Sequence, residues 1–171
     1  MPSDKRATPG PASPRRRGRA RHPQSAGILL YRRDPLEVLL VHPGGPFWAK
    51  KDAGAWSIPK GEYEDEEEAQ ACALREFEEE TGTALPAGSL ADLGTARLKS
   101  GKLIAAWAVE GDLDAEAITS NTFEMEWPPR SGRTQTFPEV DRADWFGLDE
   151  AREKLNPAQG AFLDRLHDSL G

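Results

Sequence analysis

The sequence contains a single cysteine, Cys72, among 171 residues. One cysteine excludes a disulfide within the chain, and such sparse use is typical of proteins from a reducing compartment. We therefore expect a cytoplasmic protein. We interpret Cys72 as a packing residue rather than a nucleophile, because no histidine lies near it in the surrounding sequence.

Long apolar runs are also missing. No stretch approaches 18 apolar residues, so we expect no membrane span. The first 24 residues contain no Ile, Leu, Val or aromatic residue. Such a segment cannot bury enough apolar surface to offset the entropy lost on ordering. We therefore predict a disordered basic tail over residues 1–24 and one folded domain over residues 25–171.

The predicted tail and the predicted domain have opposite charge. The tail carries seven basic residues against one acidic residue, a net charge of +6, whereas the whole chain carries −7, which leaves −13 for residues 25–171. We interpret the tail either as a solubilising extension or as a weak contact for nucleic acid or another acidic partner. The arginines are not followed by an apolar segment, so the pattern does not predict a secretory signal.

An acidic segment at residues 61–83, GEYEDEEEAQACALREFEEETGT, is the most informative part of the chain. Its periodicity predicts a helix over residues 66–81. Asp65 and Glu68 have the spacing of a capping box at the helix start, and Gly82 is suited to the residue that follows the helix end.

The end of this helix carries charges that would destabilise it in isolation. Glu76 and Glu80 lie one turn apart with like charge, and Glu79 adds negative charge where the helix dipole is already negative. At about 100° per residue, the three carboxylates fall within one arc beside the apolar side of the helix. A divalent cation would make each of these unfavourable interactions favourable, so the pattern indicates a metal site.

The segment resembles the signature of the Nudix (MutT-like) hydrolase superfamily, G-x5-E-x7-R-E-U-x-E-E-x-G-U, in which U is bulky and apolar. Two of the U positions depart from it, since Phe77 is aromatic and Thr83 is polar. Neither is a ligand position. The sequence as a whole is similar to a bacterial group of predicted nucleoside-triphosphate pyrophosphohydrolases. The seven invariant letters are matched by Gly61, Glu67, Arg75, Glu76, Glu79, Glu80 and Gly82.

The resemblance implies an α/β fold, the Nudix α/β/α sandwich with a mixed central sheet. Short apolar runs predict strands at Ser25–Tyr31 and Leu36–His42, and a hairpin formed by Leu93–Leu98 and Leu103–Val109. The remaining predicted elements are a strand near residues 123–127, a strand that ends near the site at Asp144–Phe146, and helices near residues 148–155 and 157–170, the last capped by Asn156.

The resemblance also implies hydrolysis of a nucleoside diphosphate linked to a further moiety, by attack of water on phosphorus with Mg²⁺ or Mn²⁺. The metal ligands that it implies are the main-chain carbonyl of Lys60 and the carboxylates of Glu76, Glu79 and Glu80. Arg75 is expected to orient a metal-binding carboxylate. Glu67 is expected to be its structural partner.

A further carboxylate is expected after the signature. Some branches of the superfamily carry an E-x5-W arrangement there, and Glu139 with Trp145 has this spacing. We favour Glu139 as a fourth carboxylate that acts as metal ligand or catalytic base. Glu124, Glu126 and Glu79 remain alternative bases.

Substrate contacts are predicted from aromatic and basic residues. Trp48 and Trp127 are candidates to stack on a nucleobase, whereas Trp56 and His42 are interpreted as structural. The candidates to hold phosphate are Lys50, Lys51, Lys60, Arg130 and Arg133.

The substrate itself is only loosely indicated. Leu98 and Lys99 stand where dinucleoside tetraphosphatases often have Tyr, and Arg97 stands where ADP-ribose pyrophosphatases often have Pro. We expect a nucleoside triphosphate or a dinucleoside polyphosphate to be preferred over ADP-ribose. The alternatives are a non-catalytic nucleotide sensor and a hydrolase that acts on RNA 5′ ends. Because all the signature carboxylates are present, we favour an enzyme over a sensor.

Overall fold

The computed structural model describes residues 24–63, 66–85 and 89–171. The predicted tail therefore lies outside the described residues apart from its last residue, Gln24, which is the first residue of a strand. Asp65 of the predicted capping box also lies outside them. Among the helices that the structure describes, none is long and apolar enough to cross a membrane.

A mixed sheet of six strands forms the centre of the molecule. Five of its strands follow the order β4-β5-β1-β2-β8, and β3 pairs with the start of β1. The pair β1–β5 is parallel and the other pairs are antiparallel. The sheet strands are β1 (Gln24–Arg32), β2 (Glu37–Pro43), β3 (Lys60–Glu62), β4 (Ala91–Arg97), β5 (Leu103–Glu110) and β8 (Val140–Gly147).

Helices cover both faces of the sheet, which confirms the expected α/β/α sandwich. Helix α1 (Ala69–Thr81) packs on one face, and α2 (Leu148–Lys154) and α3 (Gly160–Leu170) pack on the other. Two short 3₁₀ helices, Ala115–Ala117 and Pro157–Gln159, complete the helical elements of the described residues. Asn156 caps the second of them, since its side chain accepts the N–H of Ala158 at 2.9 Å.

Strand β1 explains why the sheet needs two helical layers. Ile28 and Leu30 pack with Phe77 of α1, whereas Leu29 points to the opposite face and packs with Leu163 of α3. Alternate side chains of a strand point to opposite faces. A strand buried on both faces is therefore apolar along its whole length.

Helix α1 begins three residues later than predicted. Glu68 is its N-cap, and the Glu68 side chain makes no capping hydrogen bond. The predicted contribution of Glu68 to a capping box is therefore wrong. The helix end is as predicted: Gly82 has a φ of 76° and its N–H donates to the carbonyl of Glu78 at 2.7 Å.

A strand absent from the prediction changes the setting of the predicted substrate loop. β6 (Thr122–Glu126), close to its expected position, pairs with β7 (Thr134–Pro138) to form a separate two-stranded sheet. We did not predict β7. The segment at residues 127–133 is consequently the tip of a hairpin.

We predicted that the strand ending at Asp144–Phe146 does so near the site, and this prediction is also wrong. Strand β8 does end there, but Trp145 lies at the far end of β8 from Glu139, where the guanidinium of Arg32 lies 4.2 Å from its ring centroid. Trp145 lies six positions after Glu139 along extended chain, which separates the two residues by roughly 20 Å.

A separation between β1 and β2 creates the space for a site. The two strands pair at Tyr31 with Val38 and then diverge. Residues 55–60 fill the gap: Ser57 exchanges two main-chain hydrogen bonds with Val41, at 2.8 and 3.0 Å, and Ile28 donates its N–H to the carbonyl of Pro59. This wedge directs the chain into β3 at the N-terminal end of β1.

Candidate active site

A cleft of about 230 Å³ lies beside this wedge. It brings together Trp48, Lys60, Glu80 and Glu139, four predicted site residues from four separate segments of the chain. The other residues of its wall are Val41, Pro43, Ala55, Trp56, Ser57, Leu98, Val140, Asn156 and Gln159.

Glu80 is the most strongly perturbed carboxyl group of the cleft. Its burial raises the pKa to about 8, and the nearby charges of Glu76 and Glu139 act in the same direction. The main-chain N–H of Lys60 donates to Glu80 at 3.3 Å, and the Lys60 ammonium also favours the carboxylate. Burial in turn lowers the pKa of Lys60. The positive charge of Lys60 thus does not offset the effect of burial on the carboxyl group of Glu80.

Glu76 lies directly against the main chain of Gly61. A Cβ atom added to Gly61 would stand 2.0 Å from the carboxyl carbon of Glu76. Burial raises the pKa of Glu76, and the adjacent charge of Glu79 raises it further. Glycine is therefore required at position 61 because no side chain fits between β3 and this carboxylate.

We expect Gly61→Ala to impair the site by displacing Glu76. Overpacking of this kind costs roughly 1–3 kcal/mol of stability, and displacement of a catalytic group by about 1 Å lowers the rate by roughly 100-fold. Turnover and thermal unfolding of the variant would be compared with those of Gly147→Ala, whose added Cβ meets nothing within 4 Å. Full activity of Gly61→Ala would contradict this account of the close contact.

Arg75 connects three carboxylates of the signature. Its guanidinium donates to both oxygens of Glu67 at 2.9 Å, to Glu76 at 2.9 Å and to Glu79 at 3.2 Å. The bidentate pair with Glu67 lowers the pKa of that carboxyl group and holds the loop before α1 against the helix. Arg75 thus contacts two of the predicted metal ligands, while Glu67 has the structural position expected of it.

Glu139 is held at the cleft by its main chain. Its N–H donates to the carbonyl of Asn121 at 2.8 Å, and its carbonyl accepts the N–H of Gly44 at 2.9 Å. Burial raises the pKa of the Glu139 carboxyl group, and the charge of Glu79 adds to the effect. The carboxylate of Glu139 therefore lies in the field of the carboxylates of α1.

The alternative bases occupy different positions. Glu124 is exposed on β6, and Glu126 accepts the N–H of Gly132 at 2.6 Å within the hairpin. Neither residue lines the cleft. Glu79 lies in a shallow depression with Arg75 and Asn121, so it remains close to the other carboxylates of the helix.

The carboxylates fit a hard divalent cation by their chemistry. Mg²⁺ and Mn²⁺ prefer oxygen ligands. Besides burial, neighbouring carboxylate charges raise the pKa of Glu76, Glu80 and Glu139. Among the described residues, however, no three acidic, histidine or cysteine side chains converge on one point. Arg75 holds two of the carboxylates, so a metal would have to compete with its guanidinium.

The predicted substrate residues separate into two groups. Trp48 lines the cleft with 39% of its surface exposed, and the Lys51 ammonium lies 5.2 Å from its ring centroid. Trp127 instead packs edge-on against Phe47 with ring centroids 5.8 Å apart, outside the wall of the cleft. The remaining basic candidates are exposed: Lys50 lies next to the Trp48 turn, and Arg130 and Arg133 lie at the hairpin tip.

Two of the remaining residues have structural positions, as interpreted from the sequence. Trp56 is buried and its indole N–H donates to Asp52 at 2.7 Å. Cys72 is fully buried, which raises the pKa of its thiol to about 11. A thiol with such a pKa is a poor nucleophile at neutral pH.

Sequence reasoning did not identify Gln159 as part of the cleft. The Gln159 side-chain carbonyl accepts the N–H of Ile58 at 3.1 Å, and its amide donates to Ser57 at 3.0 Å. These contacts join residues about 100 positions apart, for which no local spacing pattern exists. Asn156 was identified only as a helix cap.

The raised pKa of Glu80 predicts an inverse dependence of metal-free stability on pH. The folded-state pKa of about 8 lies above the ordinary value of 4.5. As the pH rises through this window, the unfolded chain releases the proton first, so the free energy of unfolding falls. Burial of the Glu76 and Glu139 carboxyl groups acts in the same direction.

Thermal unfolding in a chelator would measure this effect. We expect the melting temperature of the wild type to fall between about pH 5 and about pH 8, and the fall to be smaller in Glu80→Gln. Identical pH dependence in the two proteins would show that Glu80 is not the group responsible.

Comparisons with known proteins identify the family and the fold. A family model described as NUDIX domain matches residues 21–166. The Ap4A hydrolase of C. elegans in a binary complex superposes with a TM-score of 0.61 at 19% identity, over 85% of this chain and 97% of that chain.

Two further structures share the fold. The NUDIX domain of Shewanella oneidensis NrtR, complexed with ADP ribose, has a TM-score of 0.58 at 16% identity, over 88% of this chain and 89% of its own. The MutT protein from Methanosarcina mazei Go1 has a TM-score of 0.57 at 17% identity, over 87% and 95%. With the family match extending from β1 into α3, the chain belongs to the NUDIX domain family and is a Nudix pyrophosphohydrolase.

Proposed function

We propose that this protein hydrolyses a nucleoside triphosphate or a dinucleoside polyphosphate, with Mg²⁺ or Mn²⁺ as cofactor. The observation that carries the proposal is the convergence of Glu80, Glu139, Lys60 and Trp48 on one cleft. Carboxylates suit a metal ion, an ammonium group suits phosphate, and an exposed indole suits a nucleobase.

The residues that would hold the metal are Glu76, Glu79, Glu80 and Glu139, together with the main-chain carbonyl of Lys60. When bound, a divalent cation supplies charge neutralisation for the phosphates and lowers the pKa of water. Arg75 would keep Glu76 and Glu79 oriented through its hydrogen bonds to both. Glu67 would hold Arg75 in place for this role.

Glu139 is the residue that we propose as catalytic base. Burial raises the pKa of its carboxyl group, and a more basic carboxylate accepts a proton from the attacking water more readily. Its main chain is anchored on both sides, so the side chain is presented to the cleft from a rigid position. Glu79 is the alternative base.

Substrate binding divides between the cleft and the hairpin. Trp48 would stack on a base and Lys60 would contact phosphate, because both line the cleft. Lys50 would contact the outer phosphates. Trp127, Arg130 and Arg133 lie outside the cleft wall, so we propose that they contact only substrate that extends beyond it. A dinucleoside polyphosphate is long enough to do so, which is one reason to rank it above ADP-ribose.

A substrate panel tests the proposed function. Nucleoside triphosphates, dinucleoside polyphosphates, ADP-ribose, nucleotide sugars and 5′-triphosphorylated RNA would each be incubated with Mg²⁺, with Mn²⁺ and with chelator, and the products separated by chromatography. We expect the fastest metal-dependent turnover for a nucleoside polyphosphate. Faster cleavage of ADP-ribose would overturn the ranking, preference for RNA would point to 5′-end processing, and tight binding without turnover would indicate a sensor.

We further propose a cytoplasmic location, in line with the single cysteine. The basic residues before Gln24 would add at most a weak contact with nucleic acid. Such binding would weaken steeply with salt, because it depends on the release of counterions from phosphate.

A further inference from the structure

His42 occupies a fully buried position between strand β8 and the loop at residues 44–54, which follows β2 and carries Trp48. It is the sixth residue of β2, and its side chain has no exposed surface. Its Nδ1 atom lies 2.9 Å from a carboxylate oxygen of Asp141 on β8, and its Nε2 atom lies 2.7 Å from the main-chain carbonyl of Lys51. The ring also packs edge-on against Trp56, with centroids 5.2 Å apart.

Both partners of the His42 ring are hydrogen-bond acceptors. The main-chain carbonyl of Lys51 has no proton to donate, so Nε2 is the donor in that bond, and Nδ1 faces the carboxylate of Asp141. The imidazole thereby ties one point on β8 to one point on the loop.

The carbonyl that His42 holds belongs to the turn that presents Trp48. The N–H of Lys51 donates to the carbonyl of Trp48 at 2.9 Å, which closes a turn over residues 48–51. Holding the carbonyl of Lys51 therefore holds this turn against the body of the protein. The Trp48 side chain is exposed apart from its contacts with the cleft and the Lys51 ammonium. The preceding residue, Phe47, packs against Trp127, and the bond to the carbonyl of Lys51 holds the other end of the turn.

The other contacts of the loop lie on either side of this turn. Immediately before the turn, Phe47 packs edge-on against Trp127, with ring centroids 5.8 Å apart. At the start of the loop, the N–H of Gly44 donates to Glu139, and near its end Asp52 accepts from Trp56 at 2.7 Å and from Lys154 at 2.6 Å. Glu139 has its own anchor to Asn121. Loss of the His42 bond to Lys51 would consequently free the Lys51 end of the Trp48 turn while leaving Glu139 in place.

We propose that His42 is a positioning residue, which fixes Trp48 at the wall of the cleft through the main-chain carbonyl of Lys51. This inference rests on the proposed function, because it concerns how the same cleft binds its nucleotide. It assigns His42 no contact with substrate. Its effect is on affinity for the nucleotide, since three of the proposed metal-binding carboxylates lie on α1 and the fourth, Glu139, has its own anchor to Asn121.

Two substitutions at position 42 separate the two hydrogen bonds. In His42→Gln the amide nitrogen reaches the position of Nε2 and retains the bond to Lys51. In His42→Asn the shorter amide reaches the position of Nδ1 and retains the contact with Asp141. Each variant loses one buried hydrogen bond, so the two should lose similar stability.

We expect the two variants to differ in KM. His42→Asn should raise KM for the nucleotide about tenfold, or roughly 1.4 kcal/mol, with a smaller change in kcat. His42→Gln should raise KM by less than about threefold, or roughly 0.7 kcal/mol. The control is Trp145→Phe, which removes the indole bond to the carbonyl of Leu113. Trp145 lies on the neighbouring strand β8, at the end far from the cleft, so this variant should leave KM unchanged. Equal KM values in the two His42 variants would show that His42 is only a core residue.

Hydrogen exchange in the absence of nucleotide provides a readout independent of activity. Exchange of the amides at residues 48–52 should accelerate in His42→Asn more than in His42→Gln. If exchange there is faster in His42→Asn but the wild type shows no turnover, the proposed function is refuted, while the positioning role of His42 stands. Unchanged exchange in His42→Asn would refute the positioning role of His42. If neither variant folds, nitrogen NMR of wild-type His42 decides the matter, since an Nε2 that carries no proton would contradict the bond to Lys51.

Discussion

Glu80→Gln should lower turnover by at least about 100-fold, because removal of a metal ligand removes several kcal/mol of transition-state stabilisation. The same substitution should leave the metal-free fold intact. Burial raises the pKa of Glu80 to about 8, so its charge opposes folding at neutral pH, and a neutral amide removes that cost. Loss of activity without loss of stability is what distinguishes a ligand from a structural carboxylate.

The measurement is kcat with saturating Mg²⁺ or Mn²⁺, together with thermal unfolding in chelator. Glu78→Gln is the matched control, since Glu78 lies on the same helix but is exposed and outside the cleft. We expect the control to retain wild-type turnover. Undiminished hydrolysis of substrate by the wild type in excess chelator would refute the metal-dependent mechanism altogether.

Glu139→Gln should lower kcat by roughly 100-fold to 10,000-fold and change KM much less. A base accepts its proton in the transition state, so its loss appears in turnover rather than in substrate binding. The amide has almost the same shape as the carboxylate, and the main-chain bonds to Gly44 and Asn121 do not involve the side chain. The fold should therefore be preserved.

Steady-state kinetics with the preferred substrate would test this role. Glu124→Gln serves as the control, because Glu124 is exposed on β6 and does not line the cleft. If Glu139→Gln keeps near-normal turnover, the base lies elsewhere, and Glu79→Gln would be the next variant to measure. A rise in KM with unchanged kcat would instead assign Glu139 to ground-state binding.

Local spacing in the sequence was sufficient to predict helix α1 and the positions of the carboxylates on it. The positions of Glu76, Glu79 and Glu80 follow from a helix of about 3.6 residues per turn, and the structure places them accordingly. The helix start was less predictable, because Glu68 and its neighbours are acidic and polar on both sides of the boundary. Helix ends depend on cap contacts that composition describes poorly.

The hairpin β6–β7 shows what local reasoning missed, namely the strand β7. The segment WPPRSGR, with its prolines and arginines, indicated a phosphate-binding loop. The structure continues it into β7, and Phe123 pairs with Phe137 across the two-stranded sheet, with ring centroids 6.0 Å apart. Trp127 packs against Phe47. These residues are 80 positions apart, so no local periodicity in the sequence could predict the contact.

The sequence by itself determined the acidic helix and, through the signature at residues 61–83, the family, since both depend on residues close together in the chain. The sandwich of helices around a mixed sheet was expected because the resemblance implied it. Only the tertiary structure decided the cleft. The wedge between β1 and β2 places Lys60 beside Glu80, the exclusion of a side chain at Gly61 seats Glu76, and His42 joins β8 to the turn of Trp48. Such contacts join distant segments, and their geometry exists only once both segments have packed against the same sheet.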